Sequence, residues 1–169
     1  MIEEREERYT FGILTISDKG SRGERQDTSG PGLRELLIAS GFEARAYEIV
    51  PDQREAIRDM LVRWVDGEGI DLIVTTGGTG VSPSDVTPEA TSPLLEREIP
   101  GMAEAMRRAS MEKTPHAMLS RGVAGIRKTS LIINLPGSEK GARENIAVVL
   151  PTLAHALYKI KGGVKDCGG

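Results

Sequence analysis

The sequence predicts an α/β domain with a mostly parallel sheet and helices on both faces. Two observations carry this. Short apolar runs, "FGILTIS" at 11–17, "FEARAYEIV" at 42–50 and "IDLIVTT" at 70–76, alternate with segments whose apolar residues recur at helical spacing. Strand, helix, strand, helix, strand requires crossover connections, and crossovers make a parallel sheet. Each apolar run also empties into a polar loop, at 17–30, 51–55 and 76–88, the pattern of strands ending at a polar rim.

The first run is a buried strand that stops at Ser17-Asp18-Lys19-Gly20. A turn-rich loop, "SRGERQDTSGPG", follows, and a helix starts near Thr28 to Pro31. Leu33, Leu36 and Leu37 give that helix its apolar face, and Gly41 ends it. The 42–50 run alternates and reads as a second strand. Asp52 precedes Glu55 by three residues, the spacing of a capping box, and Ile57, Leu61, Trp64 and Val65 continue with helical periodicity. The third strand, 70–76, leads into a glycine loop. Helices are expected over 86–97 and 101–113, a further strand at 130–135, and a last helix over 139–160 with Pro151 as a point of bending. With no repeat, linker or low-complexity block, the chain reads as a single domain over 1–169, with an ordered core at about 9–160 and frayed ends at 1–8 and 162–169.

Composition narrows the function. Hydrophobic residues are 38% and charged residues 28%, as in a soluble globular protein. There is no apolar run of membrane-spanning length and no apolar stretch behind the charged N-terminus, so neither a membrane span nor a signal peptide is expected. The single cysteine, Cys167, has no disulfide partner in the chain, and a cytoplasmic setting follows. A net charge of −3 with 4% aromatics argues against a nucleic-acid surface.

The glycine loop, "TTGGTG" at 75–80, is the strongest local signal. Glycines after a strand let backbone N–H groups face a phosphate without Cβ interference, and Thr75, Thr76 and Thr79 add hydroxyls. It is neither a Walker A loop nor G-x-G-x-x-G. A Cβ at Gly78 is expected to cost ligand binding more than folding. The same loop carries Asp85. A bare carboxylate repels a phosphate by about 1 kcal/mol at 4 Å in water and about 4 kcal/mol at an effective dielectric of 20. A divalent cation between them reverses the sign, which makes a carboxylate beside a phosphate loop reasonable at a metal–nucleotide site. Taken singly, each acid also has a structural reading: Asp85 and Asp52 as helix caps, Asp18 and Asp27 as turn residues. His116 and His155 show no metal spacing and suit surface or helix-end roles, and no G-x-S-x-G elbow marks a serine nucleophile.

Several pieces occur together in one order: "SD" after the first strand, "QDTSG" before the first helix, "TTGGTG" followed by "DVTPEAT", "LSR" at 119–121 and "NLPGS" at 134–138. In this the chain resembles the MoaB/Mog family of molybdenum-cofactor biosynthesis proteins over roughly residues 9 to 160. The resemblance implies a molybdopterin-binding three-layer fold, usually a homotrimer, with other cofactor-assembly proteins as further partners. It implies Mg²⁺-dependent adenylylation of molybdopterin by ATP with release of pyrophosphate, Mg²⁺ being the cofactor. Carried over by position, Asp52 and Asp85 are the catalytic, metal-holding pair. Gly77, Gly78, Thr79 and Gly80 form the pterin and nucleotide loop, and Ser17, Asp18, Ser120, Arg121 and Ser138 line the same pocket. One departure is visible: the family often has Arg before the loop aspartate, and here it is Ser84. Arg22, Arg25, Arg121 and Lys140 are the cations available to compensate. The alternative implied function is a non-catalytic molybdopterin carrier of the same pathway.

Overall fold

The computed structural model describes residues 8–165. A six-stranded sheet in the order β2-β1-β3-β6-β5-β4 forms its centre. β1 (Thr10–Ile16), β2 (Glu43–Val50), β3 (Leu72–Thr76) and β6 (Ser130–Leu135) run parallel. β5 (Ala124–Arg127) and the two-residue β4 (Arg97–Glu98) extend the sheet antiparallel from β6. A single-turn helix, α1 (Asp18–Ser21), follows β1 directly.

Period-two alternation along the strands separates two cores. Phe11 and Ile13, Leu72 and Val74, and Leu131, Ile133 and Leu135 face one side, where they meet Leu33 and Leu37 of α2 (Ser29–Ala39), Met102 and Met106 of α5 (Pro100–Met111), and Ile146 and Leu153 of α6 (Glu139–Ile160). Leu14, Ile73 and Ile132 face the other side, against Ile57 and Leu61 of α3 (Arg54–Val62) and Ala90 of α4 (Thr87–Thr91). The result is helices, sheet, helices. The β1–β2 crossover carries α2 and the oppositely directed β2–β3 crossover carries α3, so right-handed connections place these helices on opposite faces.

The structure differs from the sequence expectation in several elements, α1 within the expected first loop among them. α3 is prolonged by a π-helical turn, Arg63–Gly67, which seats Trp64 and Val65 in the second core. The expected 86–97 helix is broken: α4 ends at Thr91, a 3₁₀ turn spans Ser92–Leu94, and the chain then enters β4. Pro93 sits in that 3₁₀ turn and lacks the N–H to prolong the helix. β5 was hidden because the turn at Lys128 (φ 51°) folds 124–135 into a hairpin instead of leading into one strand. Of the ends expected to fray, 1–7 and 166–169, with Cys167, lie outside the described residues. Residues 162–165 turn back onto α6, where Lys159 Nζ donates to the carbonyls of Gly163 and Lys165.

Register aligns the strand ends. Ile16 pairs with Val50, Thr15 with Thr76, and Thr76 with Leu135. The loops opening at Ser17, Pro51, Gly77 and Pro136 therefore leave one edge of the sheet together. The direction of winding reverses between β1 and β3 there, the place where open α/β sheets bind ligands.

Candidate functional site

Close backbone contact builds the floor of this edge. Gly77 (φ +106°) donates its N–H to the carbonyl of Leu135 at 3.2 Å, and a Cβ there would collide with the Ile16 carbonyl. Gly78 (φ +67°) occupies the left-handed region. Thr87 locks the loop from behind: its hydroxyl donates to the Gly77 carbonyl at 2.9 Å and its N–H to the Gly78 carbonyl at 3.1 Å. The 136–138 turn is tied in by Thr76 Oγ1 on the Pro136 carbonyl (2.6 Å) and Ser29 Oγ on the Gly137 carbonyl (2.8 Å). Glycine at 77 and 78 thus follows from backbone conformation and packing as well as from any ligand.

The first two loops are joined by a reciprocal pair. The Asp18 N–H donates to Asp52 Oδ2 and the Asp52 N–H to Asp18 Oδ1, both at 2.9 Å. Asp52 is therefore not the expected capping box: the residue before α3 is Gln53, which makes no side-chain cap, and the Asp52 carboxylate is turned into the loop cluster. Asp85 does not cap α4 either. Its Oδ2 accepts from the Ser82 N–H at 3.0 Å, closing its own turn, and the residue flanking α4 is Val86. The two carboxylates flank the glycine loop. A Cβ placed on Gly78 would lie 3.4 Å from Asp52 Oδ1, and one on Gly80 would lie 2.8 Å from Asp85 Oδ2.

Two hollows open on either side of this loop, of about 540 and 460 Å³. Gly78, Asp85, Gly137 and Ser138 line both. The first is completed by Ser17, Gly77, Asp52 and Arg25, and by Asp27, whose carboxylate is occupied by Thr15, Tyr47 and the Gly30 N–H. The second adds Thr79, Gly80 and Ser120, with Arg107, Lys113 and His116. Ser17 and Ser138 present hydroxyls already engaged as helix caps, Ser17 on Gly20 N–H and Ser138 on Gly141 N–H, both at 3.0 Å. Ser138 opens the 22-residue α6, whose positive end points at the shared wall.

Arg121 stands apart from the other expected site residues. Its guanidinium is held behind the glycine loop by the carbonyls of Gly80 and Asp85, each at 2.8 Å, and by an ion pair with Glu89. Arg22 is paired with Glu24. Arg25 is left as the guanidinium on the first hollow. Arg107 and Lys113 gave no sequence signal, because they sit on or just after α5 among other solvent-facing charges. Arg107 reaches the site by donating to the Gly122 carbonyl at 2.9 Å, and Lys113 by pairing with Glu144 at 2.8 Å.

Charge is unevenly compensated. Burial, and then the neighbouring Asp18 and Asp85 carboxylates, push the Asp52 carboxyl above the ordinary carboxylate range, against the lowering effect of the Asp18 N–H. A folded-state value above the unfolded one means the unfolded chain gives up this proton first, so stability falls as pH rises through that interval. In metal-free buffer at pH 7, Asp52→Asn should therefore melt at a higher temperature than the parent, since Asn still accepts from Asp18. The difference should close as pH falls through the carboxylate range; a lower melting temperature at pH 7 would contradict this charge balance.

These residues suit a hard divalent cation. The donors are carboxylate oxygens, the Asp52 charge is poorly offset by protein groups, and the glycine cradle leaves phosphate oxygens room to complete a shell. Among the described residues no group of three or more His, Cys, Asp or Glu is placed to hold a metal ion.

A mostly parallel α/β domain with a glycine loop at its topological switch, flanked by two carboxylates and two adjoining hollows, is in class an open-sheet α/β domain with the arrangement that such domains use for ligand binding. The comparisons are more specific. Residues 12–155 match the family described as probable molybdopterin binding domain, and the chain belongs to that family. It is 43% identical to a molybdopterin adenylyltransferase of Helicobacter pylori (strain J99), over 90% of this chain and 88% of that protein. It is 45% identical to gephyrin of Dictyostelium discoideum, over 96% of this chain but only 24% of that longer protein. The structure of the molybdopterin biosynthesis enzyme MoaB from Thermus thermophilus superposes with a TM-score of 0.87 at 58% identity, covering 91% of this chain and 97% of that one.

Proposed function

We infer that the chain is a molybdopterin adenylyltransferase: it transfers the adenylyl group of ATP to the terminal phosphate of molybdopterin and releases pyrophosphate. One observation supports this above the others. Two hollows meet at Gly78, Asp85, Gly137 and Ser138, so two ligands bound side by side bring their phosphates to one point. An oxygen of the molybdopterin phosphate forms the new bond to the α-phosphorus of ATP, and the bond from that phosphorus to the bridging oxygen breaks. No covalent enzyme intermediate is required.

In this reading Asp52 and Asp85 hold Mg²⁺, which when bound neutralises charge on the phosphates. Gly77, Gly78, Thr79 and Gly80 let backbone approach the phosphates closely, and Ser17, Ser120 and Ser138 border them. The N-terminus of α6 and Arg25 offset charge in the first hollow. Asp18 acts by holding Asp52, and Arg121 by holding the loop. Steady-state pyrophosphate release that requires ATP, molybdopterin and Mg²⁺ together tests the reading. ATP turnover at the same rate without pterin would overturn it.

The competing reading is a non-catalytic molybdopterin carrier. It is favoured by exposed Ser84 in place of a cation and by the engagement of Arg121 behind the loop. Saturable pterin binding with no pyrophosphate release would establish it.

Association as a homotrimer and a cytoplasmic setting belong to the same proposal. Leu119 on the second hollow is 48% exposed, Met111 and Met118 on a neighbouring hollow that shares Arg107 are 42% and 63% exposed, and together they offer apolar surface to a second copy. No helix among the described residues is long and apolar enough to cross a membrane. Light scattering at micromolar concentration should give about three times the chain mass of 18.2 kDa, and a monomer would defeat the oligomer.

A further inference from the structure

Asp85 sits on a segment with little else to hold it. Residues 81–84 are exposed, and the turn's own ties are the Asp85 N–H on the Ser82 carbonyl at 2.9 Å and the Ser82 N–H on the Asp85 carboxylate at 3.0 Å. A carboxylate on such a turn is free to move by more than a metal ligand tolerates unless something outside the turn fixes it.

Arg121 spans that gap. Its N–H donates to the Thr79 carbonyl, its Nε to the Gly80 carbonyl and one terminal nitrogen to the Asp85 carbonyl, all at 2.8 Å. The other terminal nitrogen pairs with Glu89 on α4. One planar guanidinium thus joins the start of the exposed turn, its end and the helix beyond it. Glu89 completes the brace. Arg121 bonds Glu89 Oε1 and holds its carboxyl below the ordinary range, while Oε2 is buried with no hydrogen-bond partner. A lysine ammonium in the same place is a point donor and cannot reproduce the fork that reaches both carbonyls.

The geometry points to Arg121, anchored by Glu89, as the positioning residue that fixes Asp85 over the glycine loop, acting from behind the site with no contact to substrate. This rests on the role for Asp85 proposed above. Loss of the brace should act as loss of an outer-shell partner of a metal ligand, costing about 10- to 100-fold in metal affinity or turnover.

The experiment compares the parent with Arg121→Lys by two readouts. In the metal-free protein, amide hydrogen exchange over 80–86 should rise on the order of tenfold, as expected when a hydrogen bond holding the segment is lost. In the adenylylation assay, half-saturating Mg²⁺ should rise about tenfold with a fall in kcat. Glu89→Ala keeps Arg121 but removes its anchor; it should give the same pattern at reduced size and replaces Arg121→Lys if that variant does not fold. Unchanged exchange over 80–86, or raised exchange with unchanged Mg²⁺ dependence and kcat, overturns the proposal. If the parent itself releases no pyrophosphate, the adenylyltransferase reading fails separately. The brace is then decided by exchange alone, a rise supporting it and no change overturning it.

Discussion

Asp85→Asn should melt within a degree or two of the parent and lose about 10²-fold or more in turnover at saturating Mg²⁺, the scale of one electrostatic contact to a reacting group. The structure makes this a clean substitution. Asn keeps the size and can still accept from the Ser82 N–H, and the Arg121 contact is to the Asp85 carbonyl, which the side chain does not alter. Only the negative charge between the two hollows is removed. Molybdopterin binding should survive, because the other side chains lining the two hollows, Thr79 and Ser120 among them, remain. A stable variant with parental turnover would rule out the metal role of Asp85 and most of the mechanism.

Gly78→Val should lose both folding stability and ligand binding. From sequence, the cost fell mainly on binding; the structure adds a cost to the fold. A Cβ at 78 would strike Thr87 Oγ1, whose hydroxyl bond to the Gly77 carbonyl fastens the loop, and the residue needs φ +67°. A non-glycine residue in this region costs about 1–3 kcal/mol, and losing the Thr87 bond adds about 1 kcal/mol. A total near 3 kcal/mol lowers the melting temperature by on the order of 10 °C for a chain of this size. The branched side chain also enters the wall shared by both hollows, so nucleotide affinity should fall further than the lost stability accounts for. Calorimetric titration well below the melting temperature separates the two effects. Parental melting behaviour would contradict the loop geometry described here.

The parallel core was legible because buried strands declare themselves. Ile13, Leu14, Ile73, Val74, Ile132 and Ile133 are all fully buried, and such runs can be read without partners. The hairpin of β5 and β6 was not, since its turn is Lys128-Thr129, with no glycine or asparagine to mark a left-handed residue. At the site, the sequence pointed to the residues but misread how some are held. Asp52 and Asp85 both stand where a helix cap would stand, and local spacing cannot show that Asp52 instead bonds to Asp18, 34 residues away. Arg121 likewise reads as an anion contact until Glu89 and two carbonyls are seen to occupy it. Arg107 and Lys113 reach the second hollow only through the packing of α5 on α6, a contact no local motif encodes.

The most direct test of the central claim follows the phosphorus atoms. The protein is incubated with Mg²⁺, molybdopterin and ATP labelled at the α-phosphate, and the products are separated. Adenylyl transfer predicts that the label moves onto the pterin, one for one with unlabelled pyrophosphate. Label recovered only as free AMP or ADP, with the pterin unmodified, would contradict it.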